Sequence, residues 1–450
     1  MPVYLPGIRT QRHVANALKP DVLSYRDGFP ATTGRLLKTA YLLRFPRPGL
    51  PIYWPGILQE AEVPTWQESL SCQSRGSTYS DNVTGVDLVT EPAKSETPVE
   101  QRPIGWDFPT KRSPVLPFPG SIGLIGCGKI SEHHLRAYRD LGYPVSVLCD
   151  KHPVKLVQRS RPFYPEARLV EDHRELLADP EVTIVDLATH TNVRPALVRE
   201  ALLAGKHVLS QKPFVENLTE GQELVDLAKQ QNCLLAVNQN ARWAPHFCFM
   251  RHAVAAGRLG QLSAVRFSIQ WDHTWTRGTP FEEMHHLLLN DFAIHWFDLI
   301  QCFFRGRPWQ TVHASLRCSA TQNMKPPMLA HVTIDFGDAQ ASLTLDAATP
   351  FLPMNQTYLA GSEASIHSVG PDYSEQTITV ADANGQAIIP YSGGWFPDGF
   401  GGAMSELADA IQMGRQPVNH AADNLKSLEL CYAAMASADQ GRVIEAGEIL

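Results

Sequence analysis

Apolar residues recur along this chain in two rhythms, and the rhythm changes near residue 241. From Ser121 onward, "IGLI", "VSVLC", "TIVDLAT", "HVLS" and "LLAVN" are short apolar runs rich in β-branched residues. Between them lie helical segments such as "EHHLRAYRDLG", "RPALVREALLAG" and "LTEGQELVDLAKQQ". Strands alternating with helices predict βαβ units and a parallel, doubly wound sheet. Beyond residue 241, "LSAVRFSIQW", "TVHASLRC", "AHVTIDFGDAQASLTLDA" and "QTITVADANGQAIIPY" alternate with period two. Their Gly337-Asp338 and Asn384-Gly385 pairs signal hairpin turns. The expected class is α/β, with a Rossmann domain first and then an α/β domain built on an open, mainly antiparallel sheet. Two helices, "GGAMSELADAIQMG" and "ADNLKSLELCYAAMASADQG", close the chain, and no internal repeat is present.

One apolar stretch, "LLLNDFAIHWFDLI" (287–300), interrupts the strand rhythm. It contains no Gly or Pro and runs on to Gly306 and Pro308, so it predicts a buried helix. Asp291, His295 and Asp298 stand at i, i+4 and i+7 and would share one face. Polar groups on a buried helix are costly unless paired, so that stripe calls for a structural or chemical partner.

Residues 1–116 hold 14 of the 34 prolines. Residues 1–50 carry eight Lys/Arg against two Asp/Glu, and residues 51–100 reverse that ratio. "SCQSRGSTYSDNVTGVDLVTEPAKSETPVEQRP" is polar and without sustained period, which reads as linker. The expected organisation is a Pro-rich, poorly ordered extension over 1–116, a dinucleotide-binding domain over 117–240 and a substrate and oligomerisation domain over 241–450.

Length and composition narrow the classes. A chain of 450 residues, 44% hydrophobic and 19% charged, supports two or three domains with real cores. A net charge of −7 argues against nucleic acid as the main partner. No apolar run reaches membrane-spanning length, and the N-terminus lacks a secretory pattern. Eight scattered cysteines without C-x-x-C spacing read as small buried thiols of a reducing, cytoplasmic setting.

"IGLIGCGKISEHHLRAY" places Gly126, Gly128 and Ser131 at G-x-G-x-x-G spacing, after a strand and opening a helix. The first glycine permits the tight turn and the second lets a pyrophosphate approach the backbone, beside the helix N-terminus. Cys127, Lys129 and Ile130 belong to the same loop. Asp150 ends the next strand, where an acid accepts from a ribose 2′-hydroxyl, so NAD is favoured and NADP remains open. Lys212 follows the fourth strand at its carboxyl end, where ligands bind in open parallel sheets. A cation there can polarise a substrate hydroxyl.

The glycine loop, "THTNVRPALVREALLAGKHVLSQKP", "NQNARWAPHFCFMRHAVAAGRLGQLSAVRF", "NDFAIHWFDLI" and "GRQPVNHAADNLKSLELCYAAMASADQGR" follow one another at a familiar spacing. Together they resemble the glucose–fructose oxidoreductase, inositol dehydrogenase and rhizopine catabolism (Gfo/Idh/MocA) family over about residues 118–446. The resemblance matches its E-K-P catalytic lysine to Lys212, with Gln211 where Glu is usual. It matches the family's D-x-G-x-H helix to Asp291 and His295, with Ala293 in place of Gly. It implies a nicotinamide cofactor, also lined by Thr189, Asn192 and Gln211, and hydride exchange with a secondary alcohol of a sugar, inositol or related polyol.

The resemblance further implies that the Asp291–His295 face looks into the cleft. His295 suits removal of the alcohol proton. Asp291 would orient that imidazole, stabilise its cation or hold a substrate hydroxyl, whereas Asp298 would cap a backbone or pair with a cation. Arg242, Trp271, Asp272 and His273 are candidates for the polyol pocket. His285 and His286 together with His295 fit no zinc signature, and no metal is expected. A homodimer or homotetramer is expected. The rival readings are NAD-dependent glycoside cleavage on the same fold and a non-catalytic cofactor-sensing protein.

Overall fold

The computed structural model describes residues 105–449 apart from Pro119, all within the compact unit Glu91–Leu450. The expectation for residues 1–104 lies outside the described residues. The first region alternates β1 (Ser121–Ile125), α1 (Ser131–Asp140), β2 (Val145–Cys149), α2 (Pro153–Phe163), β3 (Arg168–Val170) and α3 (His173–Leu177). It continues through β4 (Val182–Leu187), α4 (Arg194–Leu203), β5 (His207–Gln211), α5 (Leu218–Gln230) and β6 (Leu235–Asn238). Its six strands pair in parallel in the order β3-β2-β1-β4-β5-β6. The direction of winding reverses between β1 and β4, which opens a crevice at the carboxyl ends of those strands. All five residues of β1 are buried, as helices on both faces of a parallel sheet require.

After α6 (Pro245–Ala255) and β7 (Leu262–Gln270) come a π-helix (Leu287–Phe292) and α7 (Ile294–Phe303). The strands β8 (Thr311–Arg317), β9 (Leu329–Asp335), β10 (Gln340–Asp346), β11 (Met354–Gly361), β12 (Ala364–Gly370), β13 (Thr377–Asp382) and β14 (Gly385–Ile389) follow. Helices α8 (Trp395–Met413) and α9 (Ala421–Gln440) and the short β15 (Ile444–Glu445) complete the chain. The nine strands form one sheet in the order β14-β13-β12-β11-β7-β10-β9-β8-β15. Only β10 and β7 run parallel, with Gln340 opposite Ala264 and Asp346 opposite Gln270. The alternation holds residue by residue, since Ala330, Val332 and Ile334 of β9 are buried between half-buried or exposed neighbours. Among the described residues no helix is long and apolar enough to cross a membrane.

Three boundaries differ from expectation. Residues 105–116 are fastened to the core through Trp106, with Phe108 packed against it. Trp106 is buried and stacks on Phe249 at 6.2 Å. Its indole N–H donates to Asp382, and Arg112 pairs with Asp409 at 2.7 Å. An aromatic anchor lies inside a Pro-rich stretch whose low periodicity hides it. The segment 241–450 also returns to the first sheet, because Phe400, Met404 and Leu407 of α8 share a core with Ile122, Leu124 and Leu135. Finally, the stretch 287–303 is not one α-helix. Its first part is π-helical, with the Ala293 N–H donating to the Leu288 carbonyl, and only then does α7 begin. The wider turn breaks the i, i+4, i+7 register on which the polar stripe rested.

Candidate active site

Gly126 adopts φ +100°, and a Cβ there would stand 2.9 Å from Ala188 carbonyl atoms and from Thr189 Cγ2. The first loop glycine is therefore required by both turn and neighbour. A Cβ at Gly128 would meet nothing within 4 Å. That open floor faces the first turn of α1, which no side chain caps. Asp150 stands at the end of β2. One of its oxygens accepts from the Cys127 N–H at 2.8 Å and the other from the His152 N–H at 2.9 Å. An open glycine floor, an uncapped helix start and a strand-end acid together fit a dinucleotide.

The hydroxyl of Thr189, just past β4, is buried without a partner. Asn192 is exposed on the turn before α4. Lys129 is exposed on the glycine loop, and its ammonium stands 5.5 Å from the ring centre of Trp275. Trp275 also donates to His273 Nδ1 at 2.7 Å. Trp275 links the glycine loop to His273, and its place in "DHTWTRG" gave no signal beyond an isolated aromatic.

Lys212 follows β5. Its ammonium donates to the Asp291 main-chain carbonyl at 2.7 Å and to the Asp291 carboxylate at 3.1 Å. His295 is 8% exposed, and its Nδ1 is buried without a partner. Burial, reinforced by the Lys212 charge, holds its pKa well below the usual imidazole range. Lys212, Asp291 and His295 thus gather at the carboxyl edge of the parallel sheet. The Asp291 carboxylate pairs with Lys212 rather than with the imidazole, which removes one of the roles expected of it.

Two expected site residues are engaged within the protein. The side-chain oxygen of Gln211, expected to touch the cofactor, accepts from the Lys212 N–H at 2.8 Å, and its nitrogen lies 3.5 Å from His134 Nε2. Its neighbour His134 pairs with Asp186 at 2.7 Å, both fully buried. Arg242 is not a pocket residue. It is buried in a bidentate ion pair with Asp298, both contacts at 2.6 Å, and also donates to the Val418 carbonyl. Asp298 further accepts from Ser427 at 3.1 Å. Burying a guanidinium is costly unless its charge and donors are met, so the third acid of the stripe has a structural task.

His273 lies near enough to Lys212 to feel its charge, and Trp271 meets the imidazole edge-on at 4.0 Å. His273 stacks on Phe292 at 3.9 Å, and burial together with the Lys212 charge pushes its pKa down to about 3. With Nδ1 accepting from Trp275, its Nε2 is left buried without a partner. Trp271 packs edge-on against Tyr373 and tilted against Trp296. Arg194 was not singled out in the sequence, although its segment was. Buried beneath the crevice, it donates to the carbonyls of Thr189, Gln211 and Pro213, tying the ends of β4 and β5 together. Burial lowers its pKa to about 9.

Comparison with known proteins adds to this geometry. Residues 121–239 match the oxidoreductase family, NAD-binding Rossmann fold, and residues 247–367 match the GFO/IDH/MocA C-terminal domain. The chain belongs to the Gfo/Idh/MocA oxidoreductase family. It is 25% identical to D-apiose dehydrogenase of Paraburkholderia graminis over 334 residues, 72% of this chain and 88% of that one. It is 25% identical over 252 residues to scyllo-inositol 2-dehydrogenase (NADP(+)) of Bacillus subtilis, 52% of this chain and 66% of that one. An oxidoreductase from Agrobacterium radiobacter, solved with NAD+, L-tartaric acid and magnesium, superposes with a TM-score of 0.65. That pair is 23% identical and covers 74% of this chain and all of the other, which shows a shared fold.

Proposed function

We propose that this chain reversibly oxidises a secondary alcohol of a sugar, inositol or related polyol to the ketone, using NAD. The observation that carries the reading is the gathering of Lys212, Asp291 and His295 at the crevice edge, beside a glycine loop that fits a dinucleotide. Family relatives named as D-apiose and scyllo-inositol dehydrogenases support the substrate class. NAD, when bound, supplies the acceptor for the hydride leaving the carbinol carbon.

The chain's own residues manage the proton and the charge. Lowered pKa keeps His295 unprotonated at neutral pH, so its lone pair is available for the alcohol proton as the C–O bond becomes a carbonyl. Lys212, steadied by Asp291, places a positive group beside the oxygen on which charge develops. His273, through its unpartnered Nε2, and Trp271 supply the substrate-side wall. Thr189 lines the cofactor site, and Asp150 favours the unphosphorylated ribose of NAD.

Two further readings belong to this proposal. The outer face of the nine-stranded sheet, with Ser268, Thr344, Gln356, Tyr358 and His367 lining a shallow depression, would pair two copies into a dimer or tetramer. The seven described cysteines are all unpaired, which supports a reducing cytoplasmic setting. The test is a panel of pentoses, hexoses and inositols, with reduced nicotinamide followed by absorbance. Turnover of one class above all others supports the proposal. Tight NAD binding without reduction by any polyol would remove it in favour of a cofactor-sensing role or of glycoside cleavage, which leaves no net turnover of the cofactor.

A further inference from the structure

His285 and His286 immediately precede the π-helix, and Asp439 lies in the last turn of α9. The fold brings these distant segments together. His286 Nε2 stands 3.0 Å from one oxygen of Asp439, and His285 Nε2 stands 3.6 Å from the other. All three ligand atoms lie within 4.8 Å of one another. A hydrogen bond accounts for the shorter contact, but 3.6 Å is too long for one. The second imidazole is therefore gathered at the same carboxylate without a hydrogen bond to it, edge-on to the His286 ring at 4.6 Å.

A shared ion accounts for both. At ligand bonds of about 2.0–2.2 Å, two ligands of one cation stand roughly 3.0–3.5 Å apart. The two observed distances bracket that range, and the side chains of His285 and Asp439, 66% and 51% exposed, are free to adjust. We propose that His285, His286 and Asp439 form an open, three-ligand site for a first-row divalent transition ion, with water filling the remaining positions. Two imidazoles favour zinc, nickel or copper over magnesium and calcium, which seek oxygen ligands. The sequence pattern hides the set, because the third ligand is Asp439 rather than His295.

The inner nitrogen of His286, Nδ1, is buried with no acceptor to orient the ring. Missing support of that kind weakens metal affinity by about 10–100-fold, so the site is reversible rather than a permanent structural one. Its position gives it a consequence. The ion would clamp α9 to the start of the element that carries Asp291, about two turns along α9 from the contact between the Cys431 thiol and the Leu289 carbonyl.

Zinc titration of the full chain by calorimetry, with the single variants His285→Gln and Asp439→Asn, tests the site. The wild type should take up zinc at a site whose Kd rises at least tenfold in each variant, while a large excess of magnesium leaves the wild-type isotherm unchanged. Melting without zinc should be the same in all three proteins, because both altered side chains are largely exposed. Zinc uptake equal in wild type and variants, no zinc uptake at all, or displacement by magnesium would each overturn the proposal. Since neither residue touches Lys212 or His295, these outcomes are independent of the polyol reading.

Discussion

The Lys212 ammonium grips Asp291 twice, through the main-chain carbonyl at 2.7 Å and the carboxylate at 3.1 Å. One contact survives any change of the Asp291 side chain, and the other sets the charge beside the lysine. Lys212→Ala should lower kcat by about 10²–10³-fold, the scale of losing one donor at a developing oxyanion, with NAD affinity unchanged. Asp291→Asn keeps the carbonyl contact and should cost less than Lys212→Ala. Steady-state kinetics beside a cofactor titration separates the two, and a larger loss in Asp291→Asn would show that the carboxylate acts on substrate itself.

His295 should be the proton acceptor. His295→Asn keeps polarity but cannot take up the alcohol proton, so the chemical step should slow by about 10²–10⁴-fold. Because its pKa is lowered by burial and by Lys212, the wild-type oxidation rate should show no limb from this group at the usual imidazole pH. A variant that melts much lower yet keeps its rate would make His295 a support for α7 instead.

Much of this site is legible in the sequence because its elements are short and local. The glycine loop follows a buried strand and opens a helix, and the E-K-P and D-x-G-x-H positions keep their spacing in one chain. What sequence could not supply depends on long-range packing. The register of the polar stripe fails where the π-helix adds a residue to a turn, and only the fold pairs Arg242 with Asp298. Strands β11 and β12, missed between more regular neighbours, are set by their pairing in the sheet rather than by composition. Trp106 is hidden because a single anchoring ring carries no periodicity.

Asp150 should set cofactor preference. Its carboxylate already accepts from the Cys127 N–H, so it holds the glycine loop from the end of β2, where the proposed reading sets the ribose. Asp150→Ser should weaken NAD binding by roughly 1–2 kcal/mol, the scale of a hydrogen bond to a charged group, and narrow the gap to NADP. Fluorescence titration of both cofactors measures this. Tighter NADP than NAD binding in the wild type would contradict the assignment.

Stability should fall as the solution is acidified. His246, His273 and His295 have folded pKa values below the ordinary 6.5, with His246 and His273 near 3. Below 6.5 the unfolded chain binds protons that the folded chain refuses, so the stability is present above that pH and lost as pH falls toward 3. Each such group contributes a slope of about 1.4 kcal/mol per pH unit. Urea unfolding across this window measures the slope. His246 makes no hydrogen bond through either ring nitrogen. His246→Leu should therefore reduce the slope by about one proton without loss of stability at neutral pH. An unchanged slope would mean that His246 is already protonated in the fold.

Trp106 should be a structural anchor that no truncation can remove without cost. Its ring stacks on Phe249, meets Phe108 edge-on at 6.3 Å, and carries the Arg258 guanidinium at 5.2 Å from its centre. Its N–H reaches Asp382 at the end of β13, so one side chain fastens the segment before β1 to the second sheet. Trp106→Ala leaves a cavity beside Phe249 and removes that bond, and should cost about 3 kcal/mol. A chain beginning at Lys111 should lose as much, whereas one beginning near residue 100 should keep the full-length melting temperature. Trp106→Phe should fall between, since it keeps a ring on Phe249 but loses the hydrogen bond to Asp382 and part of the indole's packing area. If the chain beginning at Lys111 melts with the full-length protein, the packing of Trp106 contributes nothing and the anchor must be given up.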